Sequence, residues 1–122
     1  MRLLRSFRFA FEGAAYLLRT QANARIQLLA AIGVIATGGF LGLNPVEWAV
    51  IVLCIAFVWS SEACNTAIET LCDRVTAERD PQIKIVKDVS AAATLFAAIG
   101  AACAGAIILG PKLLHRIASI SA

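Results

Sequence analysis

Several familiar chemical signatures are missing from this 122-residue chain. None of its four cysteines (Cys54, Cys64, Cys72 and Cys103) forms a Cys-x-x-Cys pair, which leaves zinc and dithiol redox sites without a ligand set. Each lies inside or at the end of an apolar segment, so the expectation is buried free thiols acting as small apolar groups. There is no Gly-x-x-x-x-Gly-Lys-Ser/Thr loop, no glycine-rich kinase loop and no His-Asp-Ser grouping. Basic residues flank apolar runs instead of interleaving with aromatics in a patch, and nucleic acid is therefore not an expected partner. A cleavable signal peptide is not expected either, because Arg2, Arg5 and Arg8 recur through apolar residues instead of preceding an uninterrupted core.

What is abundant is apolar. The composition is 60% hydrophobic with a mean hydropathy of +0.80, against roughly 45–50% apolar usage in soluble domains. A water-soluble domain of this size could not bury so much, because small domains keep much of their surface wet. The expected class is an all-α integral membrane protein, with residues 1–122 forming one domain. The formal net charge of +3 is less informative than where the charges lie.

Residues 2–19 read as an amphipathic helix: Arg2, Arg5, Arg8, Glu12, Tyr16 and Arg19 recur every three or four positions, with Leu4, Phe7, Phe11 and Leu18 opposite. Such a helix suits the headgroup layer of a membrane. The first spanning segment is expected at 26–43, where Gln27 and Thr37 are the only polar side chains. Within it, the Gly38 and Gly42 spacing would let another helix approach closely. Asn44-Pro45 breaks the helix, and Glu47 and Trp48 mark re-entry at an interface. A second span covers 46–72; Pro81 interrupts the charged segment from Asp73 to Asp88, so an irregular loop followed by the start of the third helix is expected there. The third span, rich in alanine, is expected at 89–109 and is ended by Gly110-Pro111; a solvated tail with Lys112, His115 and Arg116 follows. Nine basic residues lie before the first span or between the second and third, against two in the tail. That bias places the N-terminus and the charged loop in the cytoplasm.

Chemistry concentrates in Glu62-Ala-Cys-Asn65-Thr-Ala-Ile-Glu69-Thr-Leu-Cys-Asp73. On a helix Glu62, Asn65, Glu69 and Asp73 fall at about 0°, 300°, 340° and 20°, one narrow stripe. A carboxylate near hydrocarbon costs at least about 2.5 kcal/mol, so something cationic must meet that stripe. Hard oxygen donors suit Mg²⁺ over zinc or copper, and Mg²⁺ normally completes its shell with water and substrate phosphates. With Lys87 and Asp88 across the loop, the group resembles a site for a magnesium nucleotide. Two other readings stay open on the residues alone: an ion-coupled transporter with Glu62 as carrier, and an assembly protein whose carboxylates pair between helices.

Glu62-x-x-Asn65-Thr-Ala-Ile-Glu69-x-x-x-Asp73-Arg74, followed by Lys87-Asp88 and a small-residue helix, resembles the prokaryotic diacylglycerol kinase family. The resemblance extends to Arg19-Thr-Gln-Ala-Asn-Ala-Arg25, Asn44-Pro45, Glu47-Trp48 and Gly110-Pro111-Lys112. It implies a three-span enzyme of the bacterial inner membrane that uses MgATP to phosphorylate a lipid alcohol, as a homotrimer with active sites shared between subunits. It implies further that Glu62 is the general base and that Glu69 ligates Mg²⁺. Asn65, Asp73, Lys87 and Asp88 would surround the nucleotide, and Arg2 and Arg5 would touch phosphate. Where many members carry a second metal-binding Glu this chain has Gln21, whose amide oxygen can ligate but brings no charge. The Pro81–Lys87 segment and the short N-terminus look more like the undecaprenol kinases than the diacylglycerol branch.

Overall fold

Local stop and start signals divide the chain into four helices. A computed structural model describes residues 1–122 as α1 (Arg2–Thr20), α2 (Ala22–Leu41), α3 (Pro45–Val75) and α4 (Pro81–Ser121). Only Gln21, in an extended conformation (φ −111°, ψ 114°), separates α1 from α2. Arg25 reaches back over this corner, its Nη1 donating to the carbonyls of Leu18 (2.9 Å) and Arg19 (3.1 Å). It thereby partners carbonyls that a helix end leaves open. At the next turn Gly42 adopts the left-handed conformation (φ 74°) and closes α2. Asn44 then caps α3 reciprocally: its Oδ1 accepts from the Glu47 N–H (2.9 Å) while Glu47 Oε2 accepts from the Asn44 N–H (3.0 Å). Asp80 opens α4 by accepting from the backbone N–H groups of Gln82 and Ile83, with Pro81 at the first helical position.

Three boundaries differ from the sequence reading. The first apolar helix begins at Ala22 instead of residue 26, because Gln21 alone makes the corner. The charged segment is mostly helical: only residues 76–80 lie outside α3 and α4, so Lys84, Lys87 and Asp88 ride on the first two turns of α4. Gly110-Pro111 does not end the last helix, which runs on to Ser121 with Pro111 inside it. Pro111 has no N–H to give to the Ile107 carbonyl, a defect that membrane bundles tolerate where neighbours hold the helix in place. Here Lys112 pairs with Glu47 of α3 at 3.3 Å. One turn on, the Arg116 guanidinium sits 4.7 Å above the Phe40 ring of α2.

Helices α3 and α4 pack antiparallel. Their polar contacts, Asp73 with Lys87, Asn65 with Ser90, Ser61 with Thr94 and Glu47 with Lys112, step up one helix as they step down the other. Helix α2 lies along α3 in the same antiparallel sense, through Gly38 with Trp48 at one end and Gln27 with Glu62 at the other. So thin a bundle buries little: 11 of 122 residues are buried, and Leu53, Phe57, Phe96 and Ile107 are all well exposed. Helices α2, α3 and α4 are long and apolar enough to cross a membrane. At 1.5 Å per residue, the 31 residues of α3 reach about 46 Å and the 41 of α4 about 62 Å, both beyond a hydrocarbon core of about 30 Å. All four cysteines are free, but only Cys72 is buried; Cys64 and Cys103 are exposed on outward helix faces.

The two glycines of the Gly-x-x-x-Gly spacing act in the α2–α3 turn. A Cβ on Gly38 would lie 2.8 Å from Leu43 Cδ1 and 2.9 Å from the Trp48 ring, whereas one on Gly39 would meet nothing within 4 Å. Gly38→Ala is therefore expected to lower the thermal midpoint in detergent, at a cost of about 1–3 kcal/mol. Gly39→Ala should raise it through helix propensity; equal shifts in the two variants would remove the packing argument.

Candidate active site

The polar stripe of α3 faces α2 at one level and α4 at the others. Glu62 is 2% exposed, and its Oε2 accepts a hydrogen bond from Gln27 Nε2 of α2 at 3.3 Å. No lysine or arginine lies within ion-pair distance of it. A buried carboxylate without a cation is costly, and a single amide donor offsets only part of that cost. The amide fixes one carboxylate oxygen and leaves Oε1 without a hydrogen bond. Glu62 is thus a buried carboxyl group held in one orientation by its contact with α2.

Nearer the charged end, the Ser90 hydroxyl of α4 donates to Asn65 Oδ1 at 2.6 Å and lies 3.0 Å from the Lys87 carbonyl. Ser90 is itself buried, so this contact sets the depth of α4 against α3. Beyond it, Lys87 Nζ pairs with Asp73 Oδ1 at 2.6 Å. Lys87 stands in the polar opening turns of α4, ahead of the apolar stretch. Its pKa is raised, first by the hydrogen bond to Asp73, then by the negative charges of Asp73 and Glu69 and by neighbouring Cys72, against a smaller lowering by burial. It stays a cation throughout the physiological range. Asp88 turns the other way, to Lys84 one turn earlier.

Glu69 shares the stripe with Glu62 and Asn65, is half-buried, and makes no ion pair. Gln21 is half-buried at the α1–α2 corner, where its Nε2 lies 3.5 Å from Thr20 Oγ1. Arg2 and Arg5 are exposed at the start of α1 and form no ion pair. The chain therefore brings Asn65, Asp73 and Lys87 to the α3–α4 seam but leaves Asp88, Gln21 and the arginines away from it. No three acidic, histidine or cysteine side chains converge. The donors that are present, an unpaired Glu69 carboxylate with amide and carboxylate neighbours on its face, fit a hard cation that takes most of its shell from phosphate and water.

Reasoning from sequence missed two partners. Gln27 was recognised only as a polar interruption of an apolar run, and Ser90, three residues after Lys87, drew no attention. Both gain their partners through helix register, although an amide in so apolar a segment is a usable signal.

Two cavities flank the stripe. An apolar one of ≈ 240 Å³ lies among α2, α3 and α4, with Gln27 at its wall and Ala98, Ala101 and Gly105 of α4 opposite. A larger groove of ≈ 660 Å³ lies between α1 and α3. Trp59 borders both.

Comparison with known proteins adds independent information. A family model described as prokaryotic diacylglycerol kinase matches residues 8–109. A protein named diacylglycerol kinase from Synechocystis sp. is 38% identical over 113 residues, covering 92% of this chain and 65% of its own length. One named undecaprenol kinase from Bacillus subtilis is 35% identical over 112 residues, covering 92% of this chain and 91% of its own. The chain thus spans slightly under two thirds of the Synechocystis protein and nearly all of the Bacillus one.

The Gln27–Glu62 contact can be tested by stability alone. Gln27→Leu leaves a buried carboxylate without its donor and should destabilise the protein by about 1–3 kcal/mol in thermal unfolding. In a Glu62→Leu background the same substitution should cost markedly less. Identical costs in both backgrounds would mean that the two side chains are not coupled.

Proposed function

Since the chain belongs to the prokaryotic diacylglycerol kinase family, a family of lipid kinases, we propose that it moves the γ-phosphate of ATP to the hydroxyl of a membrane lipid alcohol. Undecaprenol is the favoured acceptor and diacylglycerol the second. The observation that carries this reading is Glu62: a buried carboxylate, oriented by Gln27 with one oxygen free, on the same helix face as Glu69 and Asn65. In the proposed reaction Glu62 Oε1 takes the proton of the lipid hydroxyl as its oxygen attacks the γ-phosphorus. The new O–P bond forms while the bond to the β,γ-bridging oxygen breaks, and ADP leaves. Phosphoryl transfer depends mainly on positioning and charge compensation. Lys87, held by Asp73, supplies a fixed positive charge, and Asn65 and Asp88 complete the nucleotide side. Arg2 and Arg5, unpaired on α1, are free to meet phosphate. Mg²⁺ held by Glu69, with the Gln21 amide as a further donor, would neutralise charge on the phosphates.

Near-complete coverage of the Bacillus protein, against 65% of the Synechocystis one, supports the preference for undecaprenol. We place α1 in the headgroup layer of the inner membrane with the N-terminus cytoplasmic, on the strength of the basic-residue bias. The arrangement proposed is a homotrimer with shared sites, which accounts for Asp88, Arg2, Arg5 and Gln21 lying away from the α3–α4 seam within one chain. The ion-carrier reading of Glu62 is not favoured, since it leaves Lys87-Asp88 without a role and the family consists of kinases.

Purified protein supplied with labelled ATP and Mg²⁺ should label undecaprenol more efficiently than diacylglycerol; no labelled lipid from either alcohol would end the proposal. Glu62→Gln should lower turnover by about 10²-fold or more while assembly and ATP binding persist. Unchanged turnover would remove Glu62 from the role of base. Gln21→Glu should lower the Mg²⁺ concentration giving half-maximal rate, and no shift would take Gln21 out of the metal's shell.

A further inference from the structure

One hydroxyl in the α1/α3 groove has nothing to bond. Thr66 lines the groove, is 5% exposed, and its Oγ1 is buried without a hydrogen-bond partner. Helical threonines ordinarily fold back onto the carbonyl four residues earlier. Thr20, Thr37 and Thr70 do so, at 2.8, 2.7 and 2.8 Å. Thr94 reaches the Ser61 carbonyl across the seam, and Thr76 accepts from the Glu78 N–H. Thr66 alone of the six is unsatisfied, in a mainly apolar wall that combines Ala10, Ala14, Ala63 and Ala67 with Leu17, Trp59 and Leu71. A buried donor without a partner is costly, and its persistence calls for an acceptor that arrives from outside the protein.

The position says which acceptor. Thr66 follows Glu62 by four residues on α3, so the two side chains are neighbours on one face. We propose that the Thr66 hydroxyl donates a hydrogen bond to the hydroxyl oxygen of the lipid alcohol, whose apolar chain enters the α1/α3 groove. This rests on the kinase reading and assigns its acceptor side. The alcohol oxygen then has its proton directed at Glu62 and one lone pair occupied by Thr66. The remaining lone pair is left to attack phosphorus. Thr66 keeps its proton throughout; the transferred proton goes to Glu62 and the displaced oxygen leaves with ADP. The ligand class is a primary alcohol on a long apolar chain, recognised through its oxygen as an acceptor.

Thr66→Val removes the hydroxyl with little change of shape, and Thr66→Ser retains it. With undecaprenol as substrate, Thr66→Val should raise the KM for the lipid about 5- to 10-fold, the scale of one neutral hydrogen bond. The KM for ATP should stay within about twofold, and Thr66→Ser should restore the lipid KM. An unchanged lipid KM, an equal rise in the ATP KM, or a failure of serine to rescue would each overturn the assignment. Binding of undecaprenyl methyl ether, followed by tryptophan fluorescence at Trp59, supplies a readout that needs no turnover. The ether accepts from Thr66 but has no proton for Glu62. It should bind the wild type and lose about 5- to 10-fold in affinity with Thr66→Val; equal affinities refute the role. A wild type that transfers no phosphate to any lipid alcohol would sink the kinase reading, while the ether comparison would still decide whether Thr66 holds a lipid oxygen.

Discussion

A carboxylate at the centre of a thin helical bundle is the constraint around which the rest is arranged. Glu62 has no cation to pair with and little water, only the Gln27 amide. Such a group persists only where neighbouring helices hold it against the tendency of the bundle to expel it. Helix α2 is kept at the right height by the capped turn at Asn44 and by the close approach of Trp48 to Gly38. On the other side, the ladder from Glu47–Lys112 through Ser61–Thr94 and Asn65–Ser90 to Asp73–Lys87 fixes α4. The polar contacts in this protein thus do more to define register than to add stability, since an apolar bundle in lipid gains little from hiding more leucine.

The α3 stripe was legible because its four polar residues follow the 3.6-residue period within one segment, where spacing converts directly into direction. The Asn44-Pro45 start was legible for the same reason: capping chemistry is contained within four residues. What escaped was everything that depends on which helix lies beside which. Gln27 and Ser90 acquire their partners from the register of α2 and α4 against α3, and no periodicity within a segment encodes that. The run beyond Pro111 was misread because a local rule, that proline ends a helix, is outweighed by two distant ties, Lys112 to Glu47 and Arg116 to Phe40. Within the Asp73–Asp88 segment the change from loop to helix at Pro81 was legible, because Asp80-Pro81 is a local helix start.

Most of the apolar surface of the chain faces outward, and the groove beside α3 is lined by four alanines and Gly13 together with Tyr16, Leu17, Trp59 and Leu71. The small residues among them leave a channel open along α3. The same economy appears on α4, where Ala98, Ala101 and Gly105 border the second cavity. The polar stripe is therefore mounted on one continuous helix, α3, with small side chains leaving part of the space beside it.

The corner at Gln21 has a mechanical consequence. With a single residue between two helices and Arg25 clamping the carbonyls behind it, no slack is left to absorb movement. Any rocking of α1 would be handed on to α2 through that corner. Gln27 sits less than two turns along α2, so the grip on the buried carboxylate would feel the tilt of α1.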